Sequence, residues 1–238
     1  NARVSYSPGL LRHLMGDYAH VNDCLPTLDT IDPGAEPPAD NFAPCFSAEF
    51  PRDAAVVKAS WYRADFGMTL PTYDTSAATL RDKRAGLTDE GGWGKGQARV
   101  SPEAGAIYTM RTSDGSRYRM PGLHIMTKEL REWLWITLWW SPDPDSDFGA
   151  DRPDEIRALG GPWSNYKMCV VTGYEEHDPD PRGGFDGSLG DALAAVHEGA
   201  GGPTWCSNPY VEKGARNAQT NCIGCHQLGQ ESTRTFPA

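Results

Sequence analysis

The stretch Trp133-Leu134-Trp135-Ile136-Thr137-Leu138-Trp139-Trp140 carries a large apolar side chain at every position except Thr137. It is too short for a buried helix and far short of the roughly 18 apolar residues of a membrane span. Read as a strand, it places bulk on both faces, so its sheet is expected to lie between two layers. Working outward, residues 54–63 are β-branched and aromatic and read as a second strand. Residues 104–111 and 117–126 flank Ser113-Asp-Gly-Ser116 and read as a hairpin. Residues 166–174 supply one more strand. Helical signals are few: Ser7-Pro8 caps a helix running toward Cys24, 127–132 is one turn, and 189–197 is a short helix closed by Gly199. The expected fold is mainly β (α+β), an antiparallel sheet domain with a few peripheral helices.

The chain has 238 residues with Lys+Arg 22 against Asp+Glu 32, a net charge of −10. That balance excludes nucleic acid as a natural partner, and eight tryptophans exclude a disordered chain. No domain linker or internal repeat interrupts it, so residues 1–238 are expected to form one domain. Its loop-rich insertions are 25–53, which is rich in proline, and 141–221. The glycine-rich run 91–96 lacks the preceding strand and following Ser/Thr of a phosphate loop and reads as a turn. Between 141 and 190, eleven carboxylates face four Lys/Arg, so most of the net charge is concentrated there.

Six cysteines divide into two and four. Two lie in Cys222-Ile-Gly-Cys225-His226, the attachment signature of c-type haem. Two thiols three positions apart on a helical turn can add to the two vinyl groups of one porphyrin, and the adjacent imidazole then serves as proximal iron ligand. One covalent haem c is therefore expected on a C-terminal attachment helix. A structural zinc site wants a second ligand pair, and Cys206 stands alone upstream. A thioredoxin-like pair wants a strand leading in, and none is visible. Cys24, Cys45, Cys169 and Cys206 allow three pairings, of which the sequential one, Cys24–Cys45 with Cys169–Cys206, is the simplest. Covalent haem and disulfides together place the chain outside the bacterial cytoplasm, periplasmic or secreted, with the missing leader read as already removed.

A mostly β chain ending in this motif resembles the cytochrome P-460 and cytochrome c′-beta family. The resemblance rests on Phe50-Pro-Arg-Asp-Ala-Ala-Val-Val-Lys58, on Gly122-Leu-His-Ile-Met-Thr-Lys128 followed by 133–140, and on 222–226. The acidic stretch between Trp140 and Cys222 is longer than the family's usual connection, which marks a divergent member. The resemblance implies an antiparallel sheet, often dimeric, with the haem held against it. It also implies a pocket for small nitrogen ligands such as hydroxylamine or nitric oxide. In one branch a lysine is joined covalently to the porphyrin, and Lys58 is the matching position. His124 stands where the family carries a distal carboxylate.

Lys58, on an otherwise apolar strand, is either a rim lysine paired with a carboxylate or a lysine beside the haem. His124 and Met126 share one strand face and are candidate distal iron ligands, with a structural role as the alternative for His124. His13, His20, Met168 and His197 are weaker candidates. Asp143, Asp145, Asp147 and Asp151 alternate near Gly149 and are read as a calcium loop or as a solvated acidic face. The first functional expectation is an electron carrier that docks a redox partner through its acidic face onto a basic one. The alternative is a P-460-like oxidoreductase or sensor with an open haem position, using Lys58 and His124. A zinc-stabilised secreted binding domain remains only if no haem is attached.

Overall fold

The computed structural model describes residues 2–17, 49–76, 78–79, 93, 96–129, 133–150, 152–172 and 207–212. In chain order the elements are β1 (Ala2–Tyr6), α1 (Pro8–Gly16), β2 (Ala55–Arg63), β3 (Leu70–Thr72), β4 (Ala98–Val100), β5 (Thr109–Arg111), β6 (Arg117–Thr127), β7 (Leu134–Trp140), α2 (Asp154–Ala158) and β8 (Tyr166–Thr172). The main sheet is antiparallel with order β1-β2-β6-β7-β8, and β5 pairs β6 beside this path. β3 and β4 form a small sheet of their own. The mainly β expectation holds.

β7 sits inside the sheet, and its pattern explains why. Trp135, Thr137 and Trp139 are buried on one face, while Leu138 and Trp140 are buried on the other. The second face holds the core: Ala59, Leu123 and Leu138 pack with Leu70, Ile107, Met120, Trp140 and Tyr166. Tyr166 is fully buried, yet its hydroxyl is satisfied twice, donating to Met120 O (2.5 Å) and accepting from Tyr108 N (3.1 Å). Burial pushes its ionisation well above the ordinary tyrosine range.

Pro121 leaves a mark on β6. Between the pairs Ser60↔Gly122 and Tyr62↔Arg119, β2 has one intervening residue and β6 has two. The extra residue falls at Met120-Pro121, where proline has no N–H to give the ladder, so the strand bulges there. Both strands keep their identity, but faces exchange across the bulge.

Several expectations change in detail. The first hairpin strand shrinks to Thr109–Arg111, with only an isolated bridge between Ala104 and Ile107. Lys128 and Glu129 are not helical, and 130–132 lie outside the described residues. The loop-rich reading of 64–103 misses β3 and β4, and β1 and α2 were not anticipated either. α1 begins as expected: Ser7 Oγ accepts from Leu10 N at 3.1 Å, and Pro8 opens the first turn. The same hydroxyl donates to Asp53 O and accepts from Ala55 N, which ties the helix to the start of β2. Of the glycine-rich turn at 91–96, only Trp93 and Gly96 are described. Residues 25–48 of the first insertion, 151, 173–206 and 213–221 of the second, and the helix read at 189–197 lie outside the described residues.

Candidate functional site

The antiparallel register assembles the predicted site residues on one face. Lys58 is the direct cross-strand partner of His124, His124 of Thr137, and Thr137 of Cys169. Directly opposed residues hold their Cβ atoms roughly 4.5–5.5 Å apart, so Lys58 and His124 are side-by-side neighbours. Met126 lies one row along on the same face, between Val56 and Trp135. Lys58 is exposed, while His124 and Met126 are half-buried. Polarity therefore grades across the face, from an exposed ammonium at β2 to the fully buried Thr137 at β7.

Two weaker candidates have other roles. His13 lies on α1, where Nδ1 faces Asp17 Oδ2 at 2.6 Å and the ring packs on Phe50. Met168 packs against the core cluster on the opposite face from His124. Cys169 is disulfide-bonded. Its partner, like Cys24, Cys45 and Cys206, lies outside the described residues, as do Cys222, Cys225, His226, His20 and His197.

The segment 207–212, upstream of Cys222, lies on this face. Asn208 is completely buried, and its Nδ2 donates to Thr137 Oγ1 and to Leu138 O, both at 2.9 Å. Its Oδ1 accepts from Tyr210 N at 3.0 Å, and its backbone N–H donates to the Glu212 carboxylate. Tyr210 is buried and donates through its hydroxyl to Pro71 O at 2.7 Å, which pushes its ionisation far up through burial. Trp93 Nε1 donates to Ser207 Oγ at 2.9 Å. The segment 207–212 is thus fastened to the rest of the chain at Ser207, Asn208 and Tyr210. The chain leaves Glu212 ten residues before Cys222.

Gly122 makes this docking feasible. A Cβ there would lie 2.9 Å from Asn208 Oδ1, from Tyr210 Cβ and from Val211 Cγ2. Gly122→Ala is therefore expected to lift 207–212 off the sheet and to cost about 1–3 kcal/mol by overpacking, read as a lowered urea midpoint with an unchanged slope. An alanine variant as stable as the parent would mean that the segment yields freely.

The acidic loop is held by the chain's own cations. Asp145 pairs with Arg152 Nη2 at 2.5 Å, and the buried Arg152 also donates to Gly149 O, Ser164 O and Tyr166 O. Asp147 pairs with the buried Lys167 at 2.8 Å and accepts from Thr75 Oγ1 and Phe148 N. A calcium ion would have to share Asp145 and Asp147 with Arg152 and Lys167. Asp151 lies outside the described residues, and no group of three or more His, Cys, Asp or Glu converges among the described ones. Gly149 is required by packing, since a Cβ there would fall 1.6 Å from Pro144 O.

Sequence reasoning passed over Asn208, Thr137 and Gly122. Asn208-Pro209 is a turn signal, but nothing in the local pattern tells a buried turn from an exposed one. Among the described residues no helix is long and apolar enough to cross a membrane. Compared with protein-family models, with curated proteins and with solved structures, the chain matches none.

Proposed function

We propose that this chain is an extracytoplasmic monohaem c-type cytochrome with a redox role, electron transfer being the first reading. The observation that carries it is Cys222-Ile-Gly-Cys225-His226: two thiols for the vinyl groups and an imidazole for the iron. This donor set fits haem c. Bound haem supplies a one-electron couple at its iron. The chain's part is to hold the group covalently through Cys222 and Cys225, to ligate it through His226, and to exclude water around it. Support comes from the segment 207–212, which docks on the face carrying His124 and Met126, the candidates for the distal side. The disulfide at Cys169 supports an oxidising compartment.

The second reading, a P-460-like oxidoreductase or sensor for hydroxylamine or nitric oxide, is favoured by the pairing of Lys58 with His124. The three segments behind the resemblance agree with it in part: the two upstream ones fall on β2, β6 and β7, which are consecutive in the sheet. In this reading Lys58 is the residue beside or joined to the porphyrin, and His124 orients or protonates the bound ligand. Homodimerisation and a calcium site belong to the same set of proposals.

Production with a cytochrome c maturation system tests both. A denaturing gel should retain haem on the parent and lose it in Cys222→Ser/Cys225→Ser. Colour extracted by acid acetone from the parent would overturn the covalent assignment, and zinc without haem would favour the secreted binding domain. A sharp low-spin spectrum unmoved by nitric oxide supports the carrier. A broad, red-shifted Soret band in the reduced protein that Lys58→Met abolishes supports the modified haem.

A further inference from the structure

The end of the sheet beyond Arg63 carries an arrangement that the haem reading leaves unused. Residues Asp65–Met68 form a tight turn closed by Met68 N donating to Asp65 O at 3.1 Å. Both central residues have positive φ, Phe66 at 56° and Gly67 at 69°, which is the signature of a type I′ turn. Asparagine or glycine suits the first of these positions, whereas a bulky L side chain is strained there. Burial does not offset the strain, because Phe66 is 90% exposed. Strain retained at an exposed aromatic points to a use outside the fold.

Four arginines fasten this turn and the residues after it. Asp65 accepts from Arg117 N (3.0 Å), Arg117 Nε (3.4 Å) and Arg63 Nε (3.2 Å). Arg119 Nη1 donates to Met68 O, and Arg99 donates to Thr69 O and Thr69 Oγ1. The Arg63 guanidinium lies 5.5 Å from the centre of the Phe66 ring. Arg111 directly opposes Arg117 in the β5–β6 pair, and both are exposed. Like charges placed opposite one another destabilise a sheet, so this pair also works against the fold. The described carboxylates nearby are Asp65, Asp114 and Glu103. Asp65 is taken up by Arg63 and Arg117, and Asp114 is engaged by the Thr112 hydroxyl and Ser116 N. Arg63, Arg117 and Arg111 thus form a connected row leading from the projecting phenylalanine, Arg63 and Arg117 sharing Asp65 and Arg111 opposing Arg117, with Met68 exposed in the same turn, on a chain of net charge −10.

We propose that this surface docks an acidic protein partner, whose carboxylates pair with Arg63, Arg111 and Arg117 and whose apolar pocket receives Phe66. Arginine and aromatic residues are the side chains that dominate binding at protein interfaces. A protein partner is favoured over an anionic bilayer by charge distribution. A bilayer spreads its charge laterally and would also meet Asp114 and Glu103, whereas a compact acidic site can meet the arginines alone. The inference does not depend on the haem assignment.

The test titrates the full chain with a labelled Glu/Leu-rich helical peptide, its Lys/Leu counterpart, and vesicles rich in phosphatidylglycerol. The acidic peptide should bind about tenfold more tightly than the basic one and weaken as salt rises. Arg111→Glu should weaken it about five- to tenfold, and Phe66→Asn about tenfold. Phe66→Asn should at the same time raise Tm by about 1–3 °C, because asparagine relieves the turn. Arg52→Glu, an exposed change just before β2, should leave binding unchanged. Equal binding of the two peptides, or indifference to both Arg111→Glu and Phe66→Asn, would overturn the proposal. So would vesicle binding without peptide binding, which assigns the surface to membranes. Self-association lost in Phe66→Asn would assign it to a second copy of this chain and would equally overturn it.

Discussion

Asp147→Asn is expected to destabilise the protein by about 3–5 kcal/mol, the usual cost of removing one member of a buried ion pair. Its partner, Lys167, is only 3% exposed, and its ammonium spends all three protons locally. They go to Asp147 Oδ2 (2.8 Å), Ser146 Oγ (3.1 Å) and Thr75 Oγ1 (3.3 Å). The amide keeps the shape of the carboxylate but leaves a desolvated cation facing neutral dipoles. For a chain of this size the loss corresponds to a fall in Tm of about 6–15 °C. Lys167→Met alone should cost less, because the Asp147 carboxylate keeps Thr75 Oγ1 and Phe148 N as donors and is partly exposed. The double variant removes both charges, so its loss should be well below the sum of the two. Additive losses in a thermal double-mutant cycle would mean that the pair is not coupled and that water reaches the site.

This pair also revises how the acidic stretch is understood. By sequence, 141–190 is a block of negative charge that would serve as a docking face or a calcium loop. In the fold, Asp145 and Asp147 turn toward Arg152 and Lys167, and Thr75 arrives from a distant part of the chain to complete the site. Carboxylates at alternate positions suit calcium and ion pairs alike, because both ask the same thing of a short segment, which is converging oxygens near a glycine. What separates them is the cation. Arg152 and Lys167 appear in the sequence as two more charges, with nothing to mark them as buried.

The strands were more legible than the site. β2, β6, β7 and β8 could be read because bulky side chains recur on both faces over seven or more residues, a pattern that few other structures accept. β1 is exposed along its whole length and β3 is only Leu-Pro-Thr, so neither leaves a burial pattern to detect. Lys58, His124 and Met126 were identified by residue type on strand faces, and the register then made two of them partners. Asn208 could not be found this way. An asparagine before a proline is ordinary loop composition, and its burial is decided by Thr137 and Leu138, some 70 residues earlier.

Asn208→Ala should therefore be among the most damaging single substitutions, costing about 3–5 kcal/mol. Tyr210 N loses its partner inside the protein, an orphan that costs about 1–3 kcal/mol, the bond to Leu138 O on the doubly paired β7 is lost as well, and a cavity is added. The Thr137 hydroxyl accepts from Asn208 but keeps its own donation to Leu123 O at 3.5 Å, so its loss should be smaller. Asn208→Asp is a sharper probe. It removes both Nδ2 donors and places a second carboxylate beside that of Glu212, which accepts from the Asn208 backbone N–H. A buried carboxylate without a cation raises its own pKa, so the aspartate variant should be worst near neutral pH and recover part of its stability as the medium is acidified. Alanine should show no such recovery. Amide exchange of 207–212 separates local from global loss. If these residues alone lose protection in the alanine variant, the segment is an independent clamp on the face that carries His124. If the proposed haem c is present, it should then survive the substitution while its spectrum shifts, because on that reading attachment rests on Cys222 and Cys225 and the docking of 207–212 rests on Asn208. An alanine variant with parental protection and stability would remove the segment from any role in setting that face.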